Sequence, residues 1–139
     1  MATNHAITPA VRAYLEAPHF AVLATVAQNG APRQTVMWYL IDGDEILFNT
    51  KRGRFKERDL VRDPRVSLCI ADGYRYVTIR GTVRATDDPA VTQADIKRLA
   101  TRYYGPEKAQ RQVESGFGKE ERISYRVPLD NLLIYGFGE

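Results

Sequence analysis

The chain has 139 residues, is 44% hydrophobic and 27% charged, and carries a formal net charge of only +3. That composition supports one globular core, and the charge is too small to mark a nucleic-acid-binding surface. Two histidines, His5 and His19, and the single Cys69 are too few for a zinc site.

The opening segment carries Pro9, Arg12, Glu16 and Pro18 and no apolar run, so neither a signal peptide nor a membrane span is expected. Thr8 before Pro9 predicts a capped short helix through Glu16, stopped by Pro18. Phe20 to Val26 reads as a strand, and Asn29-Gly30 as a hairpin signal. Arg33 to Ile41 predicts a second strand, Asp42-Gly43-Asp44 a turn, and Glu45 to Asn49 a third strand. Gly53 opens a helix to about Val61, broken at Asp63-Pro64.

Arg65 to Ala71 follows as a fourth strand. Cys69 within it reads as a buried thiol in a reducing compartment, the cytoplasm. After Asp72-Gly73, Tyr74 to Thr86 predicts one long fifth strand. Val77, Ile79, Val83 and Ala85 share one face of it; Tyr74, Tyr76, Thr78, Arg80, Thr82 and Arg84 share the other, a mixed surface that something covers. Asp88-Pro89 caps a longer helix bearing Ile96, Leu99 and Tyr103, stopped at Gly105-Pro106. A partly helical segment from Glu107 to Ser115 and a Gly116-Phe117-Gly118 loop lead to a sixth strand, Arg122 to Val127, and a last one, Leu132 to Phe137. Short hairpins without a βαβ rhythm predict a mainly β fold: one domain over residues 1–139, a six- to seven-stranded antiparallel barrel with ancillary helices.

The charge is concentrated. Residues 49–65 hold seven basic and three acidic side chains, a local +4 in a chain of +3. A strand end feeding a glycine and then a helix N-terminus favours an anion. Two readings stand. Arg54, Arg58 and Arg62, four residues apart, could be a solvated face laced to Asp59 and Asp63. Alternatively Thr50, Arg54 and Lys56, with Arg58, cradle a phosphate. Upstream, Thr35-Val36-Met37-Trp38-Tyr39 offers flat apolar faces for core packing or for a planar ring. No G-x-S-x-G, Walker A or H-E-x-x-H motif occurs, so enzymatic chemistry would be carried by a bound cofactor.

The motifs Ala21-Val22-Leu23-Ala24-Thr25, Asn29-Gly30-Ala31-Pro32, Trp38-Tyr39-Leu40, Asn49-Thr50-Lys51, the run Lys56 to Val66, and Ile79-Arg80-Gly81-Thr82-Val83 together resemble the flavin/deazaflavin oxidoreductases of the pyridoxamine-phosphate-oxidase-like split-barrel superfamily. Within it the chain looks most like the short branch that uses the 8-hydroxy-5-deazaflavin coenzyme F-420. The resemblance implies a homodimeric split barrel with cofactor sites at the subunit interface. It implies hydride transfer between the deazaflavin and an unsaturated small molecule. The implied cofactor-binding residues are Thr35, Val36, Met37, Trp38, Asn49, Thr50, Arg54, Phe55, Lys56 and Arg58, with Tyr74 and Tyr76 from the partner's fifth strand. Tyr39 and Tyr76 are candidate proton donors. An FMN-dependent oxidoreductase and a non-catalytic carrier of F-420, FMN or haem are the alternatives. The chain is shorter than the pyridoxamine phosphate oxidases and lacks a counterpart of their C-terminal substrate-binding Arg and His, which argues against vitamin B6 oxidation. No metal, nucleic acid or membrane is expected as a partner.

Overall fold

Glycine-marked turns set the topology. Gly43 and Gly73, at φ +65° and +62°, sit in two-residue turns that pair Asp42 with Glu45 and Asp72 with Arg75. The left-handed conformation there suits the twist of a tight hairpin. The computed structural model describes residues 2–3 and 7–138, so His5 lies outside the described residues. In chain order the elements are β1 (Ala2–Thr3), α1 (Pro9–Glu16), β2 (Ala21–Val26), β3 (Pro32–Met37), β4 (Leu40–Asp42), β5 (Glu45–Lys51) and α2 (Phe55–Arg62). There follow β6 (Arg65–Asp72), β7 (Arg75–Thr82), β8 (Arg84–Thr86), α3 (Pro89–Tyr104), α4 (Pro106–Ser115), a 3-10 turn (Phe117–Lys119), β9 (Arg122–Pro128) and β10 (Leu132–Tyr135).

The strands form two antiparallel sheets, one ordered β1-β10-β7-β6-β2-β3 and the other β4-β5-β9-β8. The fold is the expected mainly β split barrel, with the strands divided more finely. The predicted second strand is two, β3 and β4, separated at Trp38-Tyr39, where the chain passes from one sheet to the other. The predicted long fifth strand is β7 and β8, separated at Val83, for the same reason. Gly81 permits the second crossing: a Cβ there would lie 2.8 Å from Val127 Cγ1 on β9. Val83 then leaves the ladder, its N–H donating to the Pro64 carbonyl at 2.9 Å. Tyr74 lies in the turn before β7, not on a strand.

The main core lies between the sheets and joins Leu23, Leu68 and Ile79 to Phe48, Tyr125 and Val127. Phe48 is fully buried and stacks on Tyr125 at 5.1 Å; truncating such a ring to alanine costs about 3–5 kcal/mol. Leu40, Leu47, Ile96 and Leu99 form a smaller core beneath α3.

Thr8 caps α1 by accepting the Val11 N–H, as the sequence predicts. The far end of α1 is closed from outside: Arg102 donates to the carbonyls of Leu15, Glu16 and Ala17, and the Tyr39 hydroxyl donates to Leu15 O at 2.7 Å. The segment after α3 is fully helical, and Phe117 belongs to a 3-10 turn rather than a loop. Cys69 is half-buried, not buried, because Leu68 and Ile70 take the core-facing positions of β6. On the opposite face the register aligns Val36, Val22, Cys69, Thr78 and Leu133 in one row. Among the described residues no helix is long and apolar enough to cross a membrane.

Candidate functional site

The basic segment is placed by a buried latch. Asp59, 2% exposed, accepts from Thr25 Oγ1 at 2.8 Å, Arg33 Nε at 2.9 Å and Arg62 Nη2 at 3.2 Å. This ties α2 to β2 and β3. Burial alone would raise the Asp59 carboxyl; the hydrogen bonds from Thr25 and Arg62 and the Arg33 charge outweigh it and hold the group below the usual range. Asp63 is taken by Arg65 at 2.7 Å. Of the three arginines on one helical face, only Arg62 therefore finds an acid among the described residues. Among the described residues Arg54, Lys56 and Arg58 form no ion pair. The salt-bridged face is thus present at Arg62, while Arg54, Lys56 and Arg58 remain available to an anion among the described residues.

The helix begins at Phe55, two residues later than predicted, with Arg54 at the N-cap. Glu57 reaches back to accept the Gly53 N–H at 2.9 Å and so occupies part of the helix N-terminus. The anion preference here thus rests on side-chain cations more than on the helix dipole.

Arg54 and Lys56 open onto a cleft of about 280 Å³ at the seam between the sheets. Val36, Met37 and Trp38 form one wall of it, and Asn49 and Thr50 line its floor. These seven predicted residues therefore meet at one site. Thr35, Phe55 and Arg58 instead line an adjoining basic cleft of about 520 Å³, which shares Arg54 and Lys56 with the first. Arg33 stands over the Phe55 ring there at 4.7 Å. Tyr74 and Tyr76 line neither cleft. Tyr74 is 92% exposed, and Tyr76 stacks on Tyr135 at 5.4 Å. Tyr39 is a correction: it is wholly buried, its hydroxyl is committed to α1, and burial pushes its pKa up, so it does not face the cleft as a proton donor.

The sequence reading missed Arg122, Glu120, Phe117, Phe20, Ile96 and Leu99, which also line the first cleft. Arg122 is the most consequential. It is 8% exposed and stands opposite Lys51 in the β5–β9 ladder. Its Nε donates to Asn49 Oδ1 at 2.6 Å, and Asn49 Nδ2 donates to Thr92 O and Ser124 Oγ. Asn49 is thus a clamp on Arg122. Burial, then the charges of Arg54 and Arg122, hold the Lys56 ammonium below its ordinary range. Burial also lowers Arg122, with Arg54 adding to it against the pull of Glu120. Three cations crowded beside an apolar wall suit a ligand with an anionic group and a flat ring.

A sequence model of pyridoxamine 5'-phosphate oxidase matches residues 7–122, most of the chain. The chain belongs to the pyridoxamine 5'-phosphate oxidase family. Oxidoreductase chemistry and flavin binding therefore hold at family level. Among solved structures, an F420 reductase is 28% identical, the match covering 91% of this chain and 98% of that one, with a TM-score of 0.73. A conserved hypothetical protein from Mycobacterium tuberculosis is 25% identical over 95% and 86% of the two chains, with a TM-score of 0.79. The heme storage protein HutZ from Vibrio cholerae shares the fold at 15% identity over 96% and 98%, with a TM-score of 0.72. No curated protein matches the sequence.

Proposed function

We propose that this member of the family is an oxidoreductase that uses coenzyme F-420 and exchanges a hydride with an unsaturated, apolar small molecule. The observation that carries the reading is the cleft in which Val36, Met37 and Trp38 face Thr50, Arg54, Lys56 and Arg122. The donor set fits a phosphoryl group: two guanidinium forks, one ammonium and one hydroxyl, with Arg54 and Lys56 free of carboxylate partners among the described residues. The 28% identity to an F420 reductase favours the deazaflavin over FMN.

When bound, the coenzyme supplies the carbon that gives or takes the hydride. The chain's residues bind, orient and shield. Arg54, Lys56 and Arg122 hold the phosphate, and Asn49 keeps Arg122 aimed at it. The Val36–Trp38 wall keeps water from one ring face. Phe20, 56% exposed at the cleft, stacks on Tyr103, which in turn stacks on Trp38. That column gives an apolar substrate a flat surface to lie on, so catalysis is mainly by orientation. A homodimer belongs to the same proposal. A second copy would cover the row Val36, Val22, Cys69, Thr78 and Leu133 and bring Tyr74 and Tyr76 towards the cleft, with Tyr76 as candidate acid. So does a cytoplasmic setting, with Cys69 a free thiol.

Purified protein titrated separately with F-420 and FMN tests the assignment. Micromolar F-420 binding, lost in Arg54→Ala/Lys56→Ala, is expected. Micromolar FMN binding without F-420 binding would overturn it in favour of an FMN enzyme. Tight binding with no acceptor turned over would make the protein a carrier.

A further inference from the structure

Glu120 is the one carboxylate lining the cation-rich cleft among the described residues. Its backbone is fixed. Its carbonyl accepts from Gln93 Nε2 at 3.1 Å and its N–H donates to Phe117 O at 3.2 Å. Its side chain has two partners in different places. Oε1 accepts from Arg122 Nη1 at 2.6 Å, while Oε2 lies 3.7 Å from Lys51 Nζ. The Arg122 side chain is 7% exposed and that of Lys51 is 49% exposed, so one partner is inside and the other faces water. Arg122 cannot follow the carboxylate outward, because Asn49 holds its Nε and Phe117 lies under its guanidinium at 5.0 Å.

We infer that Glu120 is a displaceable counter-ion: it sits in the anion position on Arg122 when the cleft is free, and moves onto Lys51 when a phosphoryl group enters. The inference rests on reading the cleft as a phosphate site. Arg54, Lys56 and Arg122 repel one another in a partly desolvated space, and one negative charge among them relieves that repulsion. Among the described residues the Glu120 carboxylate pairs only with Arg122 and Lys51. A tetrahedral phosphoryl group has enough oxygens to touch all three cleft cations at once, so it gains more than the carboxylate loses. Lys51 receives the displaced charge. A lone carboxylate ligand would repeat only the contact that Glu120 already makes, so the exchange favours phosphate.

Inorganic phosphate is the probe, and Trp38, the sole tryptophan of the chain, is the fluorescent reporter inside the cleft. Glu120→Gln keeps the shape and should bind phosphate about tenfold tighter than wild type, the scale of one charge-assisted hydrogen bond. Lys51→Met removes the outer partner. It should weaken phosphate about threefold in wild type and leave Glu120→Gln nearly unchanged, and the cycle isolates the coupling. Phosphate affinity in Glu120→Gln at or below the wild-type value, or a Lys51→Met effect equal in both backgrounds, overturns the inference. Tighter phosphate in Glu120→Gln without binding of F-420 or FMN would leave it standing and remove the coenzyme reading. Coenzyme binding with no gain in Glu120→Gln would do the reverse.

Discussion

Lys56 should make the ligand-free protein less stable and the liganded protein more stable. It is half-buried, has no carboxylate partner among the described residues, and lies in the field of Arg54 and Arg122. Burial first, and those two charges second, lower its pKa from the ordinary 10.5. A lysine depressed in the folded state costs stability at every pH at which both states are protonated, and the cost fades as pH rises through the folded value towards 10.5. Lys56→Met keeps the apolar stem and removes the charge. After discounting for solvent screening, the ligand-free variant should gain about 0.5 kcal/mol, or roughly 2 °C in Tm. It also loses one charge-assisted contact to the phosphate, worth about 1.5–2 kcal/mol, or about twentyfold in Kd. With coenzyme at about a hundred times the wild-type Kd, wild type gains about 2.7 kcal/mol and the variant about 1 kcal/mol. The order of the two melting temperatures should therefore reverse on adding coenzyme. Thermal unfolding of both proteins with and without F-420 measures this. A variant that melts lower without ligand, or gains as much as wild type with it, refutes the reasoning.

Asp59→Asn should cost about 2 kcal/mol in urea unfolding, because it leaves Arg33, Arg62 and Thr25 with a weaker partner at a buried site. Since the folded carboxyl is held low, the wild-type advantage should be full above pH 4 and fade as pH falls through the folded value; an advantage that grows on acidification would contradict this. Gly81→Ala should destabilise by about 1–3 kcal/mol through the Val127 contact, and Gly81→Ala/Val127→Ala should cost less than the sum of the two single changes; strict additivity would show that the clash is not the cause. Asn49→Ala should weaken coenzyme binding about tenfold by freeing Arg122, whereas Arg58→Ala, confined to the adjoining cleft, should change it less than threefold. Equilibrium titration separates the two, and equal effects would relocate the ligand.

Much of this molecule could be read from its residues in order, because local chemistry decides local structure. Thr8-Pro9, Asp88-Pro89 and the glycines at 43 and 73 place caps and turns where they are found. The cleft residues near one another in sequence, Val36 to Trp38 and Asn49 to Lys56, were accessible for the same reason. What escaped is what the barrel's closure imposes. Val36 to Ile41 is an unbroken apolar and aromatic run across the point where the chain changes sheets, so the sequence gives no sign of the break at Trp38-Tyr39. Arg122 lies 73 residues from Asn49 and joins it only through the β5–β9 ladder. Local sequence does not single it out, because Arg126 and Ser124 stand in the same strand. Tyr39 misled because its neighbour Trp38 does line the cleft, while the sheet crossing turns its own ring into the core.

The cleft straddles the seam between the two sheets, and this separates its two duties. Thr50, Asn49 and Arg122 belong to β5 and β9, the interior ladder of the smaller sheet, and all three are buried. Val36 and Met37 belong to β3, the last strand of the larger sheet, where Val36 is 64% exposed. An edge strand can change its side chains without repacking the barrel, whereas the interior ladder cannot. The part of the anion grip built on the ladder, Thr50, Asn49 and Arg122, is therefore costly to change, and the exposed end of the ring wall is the part open to variation. A library confined to position 36, the exposed member of that wall, should alter which ring the protein accepts while leaving the phosphate grip and the fold untouched.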